Sequence, residues 1–194
     1  MTMASTPREP KTKSGAGPTD AALVIAARAG DGWAQEALFQ RHSRMALGLA
    51  HRLLPGHPEV DDVTQDSFVY ALSKLDSLSN PQAFASWLCS IVVRTASKRL
   101  RRQRLLVRLG IRRAEPIEPD TVVARSAPPE VMAELRAVYA LLAELSVEQR
   151  VALVLRRVDG LSVPEVAESM GLSVSTVKRR LKLAEARLER SLGR

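Results

Sequence analysis

Apolar residues recur at helical spacing along most of this chain, and the recurrence breaks in only a few places. From Asp20, Leu23, Ala26 and Ala27 share one face until Gly30-Asp31-Gly32 interrupts them. Trp33, Ala37 and Leu38 open a second stripe that runs through Met45, Leu49 and Leu53 and stops at Pro55, Gly56 and Pro58. A third helix is predicted from about Glu59, carrying Val63, Phe68, Ala71, Leu72 and Leu75. After a turn over 77–81, Phe84, Trp87, Leu88, Ile91 and Val92 mark a fourth helix that finishes in a basic run.

The period then vanishes. Residues 105–129 hold four of the 11 prolines, at Pro116, Pro119, Pro128 and Pro129, and read as a flexible linker. Helical period returns with Val131, Leu135, Val138, Leu141 and Leu142, and again from Ser146 to Arg157, with Ser146 as N-cap. Residues 1–19, rich in Pro, Lys, Ser, Thr and Gly, read as a disordered tail. The predicted fold class is therefore all-α, with two small helical domains over 20–104 and 130–194. Aromatics are only 4% of the chain, which argues further against a β-sandwich core.

Charge narrows the partners. A net charge of +8 attracts the chain to polyanions, either nucleic acid or an anionic membrane face. No run approaches the ~18 apolar residues needed to span a bilayer. The N-terminus has no apolar core of a secretory signal. Cys89 is the single cysteine, which rules out an internal disulfide and suits a reducing compartment, so a cytoplasmic location is expected. His42, His51 and His57 lack ligand spacing, and Asp61, Asp62 and Asp66 lack the glycine of a calcium loop. With no P-loop and no dinucleotide fingerprint, the expectation is a non-enzyme with no metal and no cofactor.

The most informative stretch is Leu161 to Leu188. Ser162 and Glu165 have capping-box spacing, Pro164 sits in the first turn, and Gly171 is placed for the left-handed residue that closes a helix. Ser173 offers a new N-cap after only two more residues. So short a turn implies helix-turn-helix geometry, with Ala167 and Gly171 small where the helices approach. Val177, Leu181, Ala184 and Leu188 point inward, while Ser175, Lys178, Arg179 and Lys182 share the opposite face with Arg180 beside them. A recognition helix needs that division, because polar groups at its start meet base edges and its cations meet phosphates. The competing description is an ordinary helical hairpin with a solvated basic face.

Together with the rest of the chain, this segment resembles region four of the extracytoplasmic-function sigma factors of the sigma-70 family. The resemblance rests on Leu145 to Arg150, Val158 to Ser162, Glu165-Val166-Ala167 and Ser175 to Leu181. It implies that Ser173, Ser175, Thr176, Lys178, Arg179, Arg180 and Lys182 serve the promoter −35 element. Asp61-Asp62-Val63-Thr64-Gln65-Asp66-Ser67-Phe68 is similar to the family's docking signature for the clamp region of the largest subunit of core RNA polymerase. That assigns Asp61, Asp62, Gln65, Asp66 and Phe68 to polymerase binding. The helix that follows, and the turn before it, serve the −10 element in the family, which implicates Asn80, Gln82, Phe84, Arg94, Lys98 and Arg101. Leu72 stands where many members have Trp, and Thr95 where many have Asn. The implied function is a sigma factor that directs promoter-specific initiation. Its partners would be core polymerase, promoter DNA and an anti-sigma protein, with no membrane insertion.

Each assignment has a plainer counterpart in the residues. Asp61 and Asp62 could simply favour a helix start, with Asp61 as its cap, although Gln65 lies beyond that first turn. The basic run from Arg94 to Arg113, nine cations without a carboxylate, could be a solvated face or a surface tracking melted DNA. Phe84 and Trp87 could be core. The resemblance, by contrast, implies that the linker threads the polymerase's active-site cleft and RNA exit path, where its acidic centre, Glu115, Glu118 and Asp120, would mimic nascent RNA. Two other readings remain open: a freestanding helix-turn-helix regulator that binds DNA without polymerase, and a polyanion-binding helical module.

Overall fold

A computed structural model describes residues 17–111 and 128–192. The described residues form eight helices and no strand. In the N-terminal half, α1 spans Asp20–Arg28, α2 Gly32–Leu53, α3 Val60–Ser73 and α4 Phe84–Arg108. Short 3-10 turns at Leu75–Ser77 and Pro81–Ala83 carry the chain from α3 into α4. In the C-terminal half, α5 spans Pro129–Glu144, α6 Val147–Arg157, α7 Val163–Met170 and α8 Val174–Leu192.

Local chemistry explains several boundaries. Thr19 accepts from the Ala22 N–H at 3.3 Å and caps α1, and Asp31 accepts from Trp33 and Ala34 to cap α2. Ser146 and Ser162 each close a reciprocal capping box, with Gln149 and Glu165 respectively. Gly171 takes φ of +64°, the left-handed conformation that ends α7. Its Cβ position is open space, so the glycine is there for its backbone angle and not, as its small size suggested, for close helix approach. Asp61 is not a cap either. Glu59 holds the N-cap position of α3, and its side chain makes no capping hydrogen bond.

Two expected boundaries shift. The helix of the basic run continues past residue 104 to Arg108, because the chain still supplies good helix formers, and turns at Gly110 with φ +71°. The tail is held down at its last residues, where Thr19 caps and the Pro18 carbonyl accepts from Arg41 at 2.8 Å. The remainder of the expected tail and most of the expected linker, including its acidic centre, lie outside the described residues.

Helices α2, α3 and α4 pack against one another with α1 laid on α2, around fully buried Leu38, Leu53, Val63, Phe84, Leu88 and Val92. In the C-terminal half α6 is central, packing on both α7 and α8. These two groups do not stand apart. Helix α4 packs along α7 and α6, and most of the buried side chains of both halves form one continuous apolar cluster, with Leu145, Leu153 and Ala184 in a smaller second one. Polar contacts rim the seam. Arg52 pairs with Asp159, Arg101 lies 3.5 Å from Glu148, and Arg104 donates to the carbonyls of Ala143 and Leu145. Half-buried Cys89, with Sγ 3.2 Å from the Met45 sulfur, sits close enough to feel Asp159. Burial, reinforced by that carboxylate, raises its pKa and keeps the thiol protonated.

Candidate nucleic-acid interface

The C-terminal half presents α8 as an amphipathic rod. Val177, Leu181 and Ala184 are buried against α6 and α7, while Lys178, Arg179 and Lys182 are exposed on the other side. At its start the Ser173 hydroxyl accepts from the Thr176 N–H at 3.3 Å and lies 3.1 Å from the Ser175 hydroxyl and 2.8 Å from that of Thr176. The cap is thus also a cluster of hydroxyls that can donate to or accept from a base edge. Arg180 is the exception in the basic set. It is half-buried and its Nε is enclosed, so it lies off the cationic face.

A second cationic surface runs along α4. Arg94, Lys98 and Arg102 recur every four residues, and with Thr95 and Arg99 they line an open groove whose other wall is Asp66 and Tyr70 of α3. An exposed aromatic beside a row of cations is the combination that single-stranded nucleic acid uses, with bases stacked and backbone tracked. Arg101 faces elsewhere, toward Glu148 across the seam. Asn80 and Gln82 are exposed at the preceding turn, where the Asn80 side-chain oxygen accepts from the Gln82 N–H at 3.1 Å and shapes the 3-10 turn. Phe84 is fully buried, packed 5.3 Å from the His42 ring and 6.2 Å from that of Trp87. It is a core residue, and a base cannot stack on it without unpacking α4. Trp87 is partly buried against the same core.

The acidic face is on α3. Asp61, Asp62 and Gln65 are exposed, and Asp61 and Gln65 border an open groove with Phe39, Arg44 and Leu47 of α2. Asp66 is exposed but already lies 3.2 Å from Arg99, which also holds Glu59 at 2.8 Å. Phe68 points inward, 3% exposed, with its ring 4.8 Å from that of Phe39 in an edge contact. The aromatic available on this face is therefore Phe39, 41% exposed, and Phe68 supports it from below.

Some surface residues escaped the sequence reading. Tyr70 and Arg102 could have been found from their i,i+4 relation to Asp66 and Lys98. Phe39 and Arg44 could not, because only the packing of α2 on α3 brings them to the acidic patch. Arg150 of α6 is the clearest electrostatic outlier. At 3% exposure, burial, with Arg104 nearby, lowers its pKa to about 10.

Two family descriptions match the chain: Sigma-70 region 2 over residues 38–105, and Sigma-70, region 4 over residues 135–188. Among curated proteins, the ECF RNA polymerase sigma factor SigM of Mycobacterium tuberculosis is 34% identical over 175 residues, covering 90% of this chain and 85% of that protein. The ECF RNA polymerase sigma-E factor of Escherichia coli is 33% identical over 176 residues, covering 84% of this chain and 88% of that protein. Among solved structures, CnrH in complex with the cytosolic domain of CnrY is similar with a TM-score of 0.60 at 28% identity, covering 90% of this chain and 97% of that one. The sigma factor RpoE in complex with the anti-sigma factor NepR, from Bartonella quintana, shares the fold with a TM-score of 0.62 at 22% identity, over 81% of this chain and 96% of that one.

Proposed function

Because the chain belongs to the ECF RNA polymerase sigma factors of the sigma-70 family, we propose a division of labour among its three charged surfaces. A protein of this family binds core RNA polymerase, directs initiation at particular promoters and is not an enzyme. Asp61, Asp62 and Gln65 of α3, with Phe39 beside them, form the docking face for the clamp region of core polymerase. Exposed carboxylates on a chain of net charge +8 favour a basic protein surface over DNA. The α4 groove, with Arg94, Lys98 and the turn residues Asn80 and Gln82, serves the −10 element. Ser173, Ser175, Thr176, Lys178, Arg179 and Lys182 of α8 serve the −35 element from the major groove. Arg101 joins the −10 surface only when its pair with Glu148 opens. A half-exposed pair of this kind is worth about 1 kcal/mol or less, so little opposes that opening.

One observation carries the reading: a single chain displays an acidic helix face and two cationic ones, each on a different element. A freestanding regulator would leave the acidic face idle, and a sequence-blind polyanion binder would need neither the capped turn nor the hydroxyl cluster at the start of α8. The family also bears on partners. Curated relatives are sigma factors, and the Bartonella quintana structure is of one held by an anti-sigma factor, so an anti-sigma protein is the natural regulator here. None of the helices in the described residues is long and apolar enough to cross a membrane. Work with core polymerase sets the protein in the cytoplasm.

Run-off transcription with purified core polymerase is the deciding experiment. The expected result is a transcript with one defined start site, and its absence would overturn the reading. Arg179→Ala is expected to lower use of the protein's own promoter with core binding intact, while Asp62→Arg lowers co-purification with core. Asp62 is the better probe than Asp66, whose substitution would also remove one of the two carboxylates that hold Arg99.

A further inference from the structure

Helix α1 lies outside the stretch that matches the region 2 description, which begins at residue 38. It nonetheless reaches the turn that precedes α4. From the last turn of α1, Arg28 extends its guanidinium to the 75–78 segment, 47 residues away in sequence. Its Nε donates to the Leu75 carbonyl at 3.1 Å, one Nη donates to the same oxygen at 2.9 Å, and that nitrogen also donates to the Leu78 carbonyl. The Leu75 and Leu78 side chains are 4% and 5% exposed, so this short segment is pinned from the core by its apolar side chains and from α1 through its backbone. Only Ser79 separates Leu78 from Asn80. The same α1 packs against the Pro81–Ala83 turn.

A 3-10 turn has poor hydrogen-bond geometry and few bonds of its own, so an outside donor matters more to it than to an α-helix. A forked cation on two carbonyls fixes both their direction and their separation, which a flexible point charge cannot reproduce. Reading an unstacked base requires polar side chains held within about 0.5 Å of the right place by such supporting contacts.

We infer that Arg28 is a positioning residue for −10 recognition: by holding the Leu75 and Leu78 carbonyls, it sets the turn that presents Asn80 and Gln82 to a promoter base. The inference rests on the assignment of that turn to the −10 element. Arg28 touches no base. It acts through the backbone of the turn, so its loss blurs base discrimination.

The test uses holoenzyme assembled from core polymerase and the full chain, with fluorescence-detected binding of single-stranded oligonucleotides carrying the matched −10 sequence or single-base substitutions. Arg28→Gln is expected to weaken binding of the matched strand about tenfold, in line with loss of charged hydrogen bonds, and to bring matched and substituted strands closer to equal affinity. Core association and −35 duplex binding should stay at wild-type level. Arg28→Lys, which keeps the charge but not the fork, should recover part of the affinity and little of the discrimination. Equal weakening on every strand, with discrimination kept, would overturn the inference and leave Arg28 a purely structural residue. If Arg28→Gln fails to assemble with core, the lysine variant decides, and wild-type discrimination there also overturns it. Asn80→Ala separates the two levels. Unchanged discrimination in that variant means the turn is not the −10 reader, whereas loss in Asn80→Ala but not in Arg28→Gln removes only the role of Arg28.

Discussion

The two halves of the molecule are held by different means. The N-terminal helices α3 and α4 start without any side-chain cap, yet they enclose a dense core in which Leu38, Leu53, Val63, Phe84 and Leu88 are fully buried. In the C-terminal half α6, α7 and α8 each start on a side-chain cap, although α5 does not. Ser146 and Ser162 close capping boxes, Ser173 caps α8 and Gly171 supplies the left-handed stop. Their core is thin by comparison. Helix α5 buries only Met132, and an open apolar groove between α5, α6 and α8 is lined by Val138, Leu142, Leu153, Val158 and Leu188. Distant burial stabilises one half, while local backbone chemistry, completed by the packing of α6 and α7 on α4, stabilises the other.

Substitutions should expose this contrast. The largest effect is expected from Phe84→Ala, which empties a fully enclosed site and should cost about 3–5 kcal/mol in urea unfolding. Met132→Ala, at the edge of a half-open bundle, should fall at the low end of the buried range, about 2 kcal/mol. Equal losses at the two positions would break the contrast. In the cap series, Ser146→Ala and Ser162→Ala should each cost about 1 kcal/mol, and Gly171→Ala a similar amount through its positive φ. Glu59→Ala removes no cap at the start of α3 and should cost about 1 kcal/mol or less, through its ion pair with Arg99.

The seam offers a smaller and more specific effect. Arg52 and Asp159 are 40% and 14% exposed, so their pair is partly screened and Asp159→Ala should cost about 1 kcal/mol. The charge-swapped double variant, Arg52→Asp with Asp159→Arg, should recover part of that loss. Energy transfer between dyes placed on α3 and α8 should fall in the single variant and return in the double. No change in transfer would mean that the apolar contact of α4 with α7 suffices to keep the halves together.

The smallest effect is on pH dependence. Burial alone would raise the pKa of Asp20, but hydrogen bonds from Arg41 and His42 and their charges outweigh it, and the net shift is downward. A carboxylate with a lowered folded pKa contributes stability above its unfolded value near ~4 and loses it as pH falls through the folded value. The melting temperature should therefore drop more steeply below about pH 4 in the wild type than in Asp20→Asn. Parallel curves would show that the pairs 2.6 Å and 2.9 Å from Asp20 hold α1 to α2 no better than water does.

The sequence by itself determined the helices, the capped turn and the charged faces. Those features arise from neighbours three or four residues apart, and residue type and spacing carry the physics. Ser146, Ser162, Gly171 and the stripe from Val177 to Ala184 were legible for that reason. Only the tertiary structure decided which aromatics are available, because Phe68 and Phe84 satisfy the same local pattern whether they face a partner or a core. It also joined α4 to α7, turned Arg101 toward Glu148 and Arg180 away from the cationic face, and brought Arg28 to carbonyls nearly fifty residues further along. Contacts at such separations depend on how packed helices cross. That angle is fixed by the summed fit of many buried side chains and is written in no single stretch of sequence.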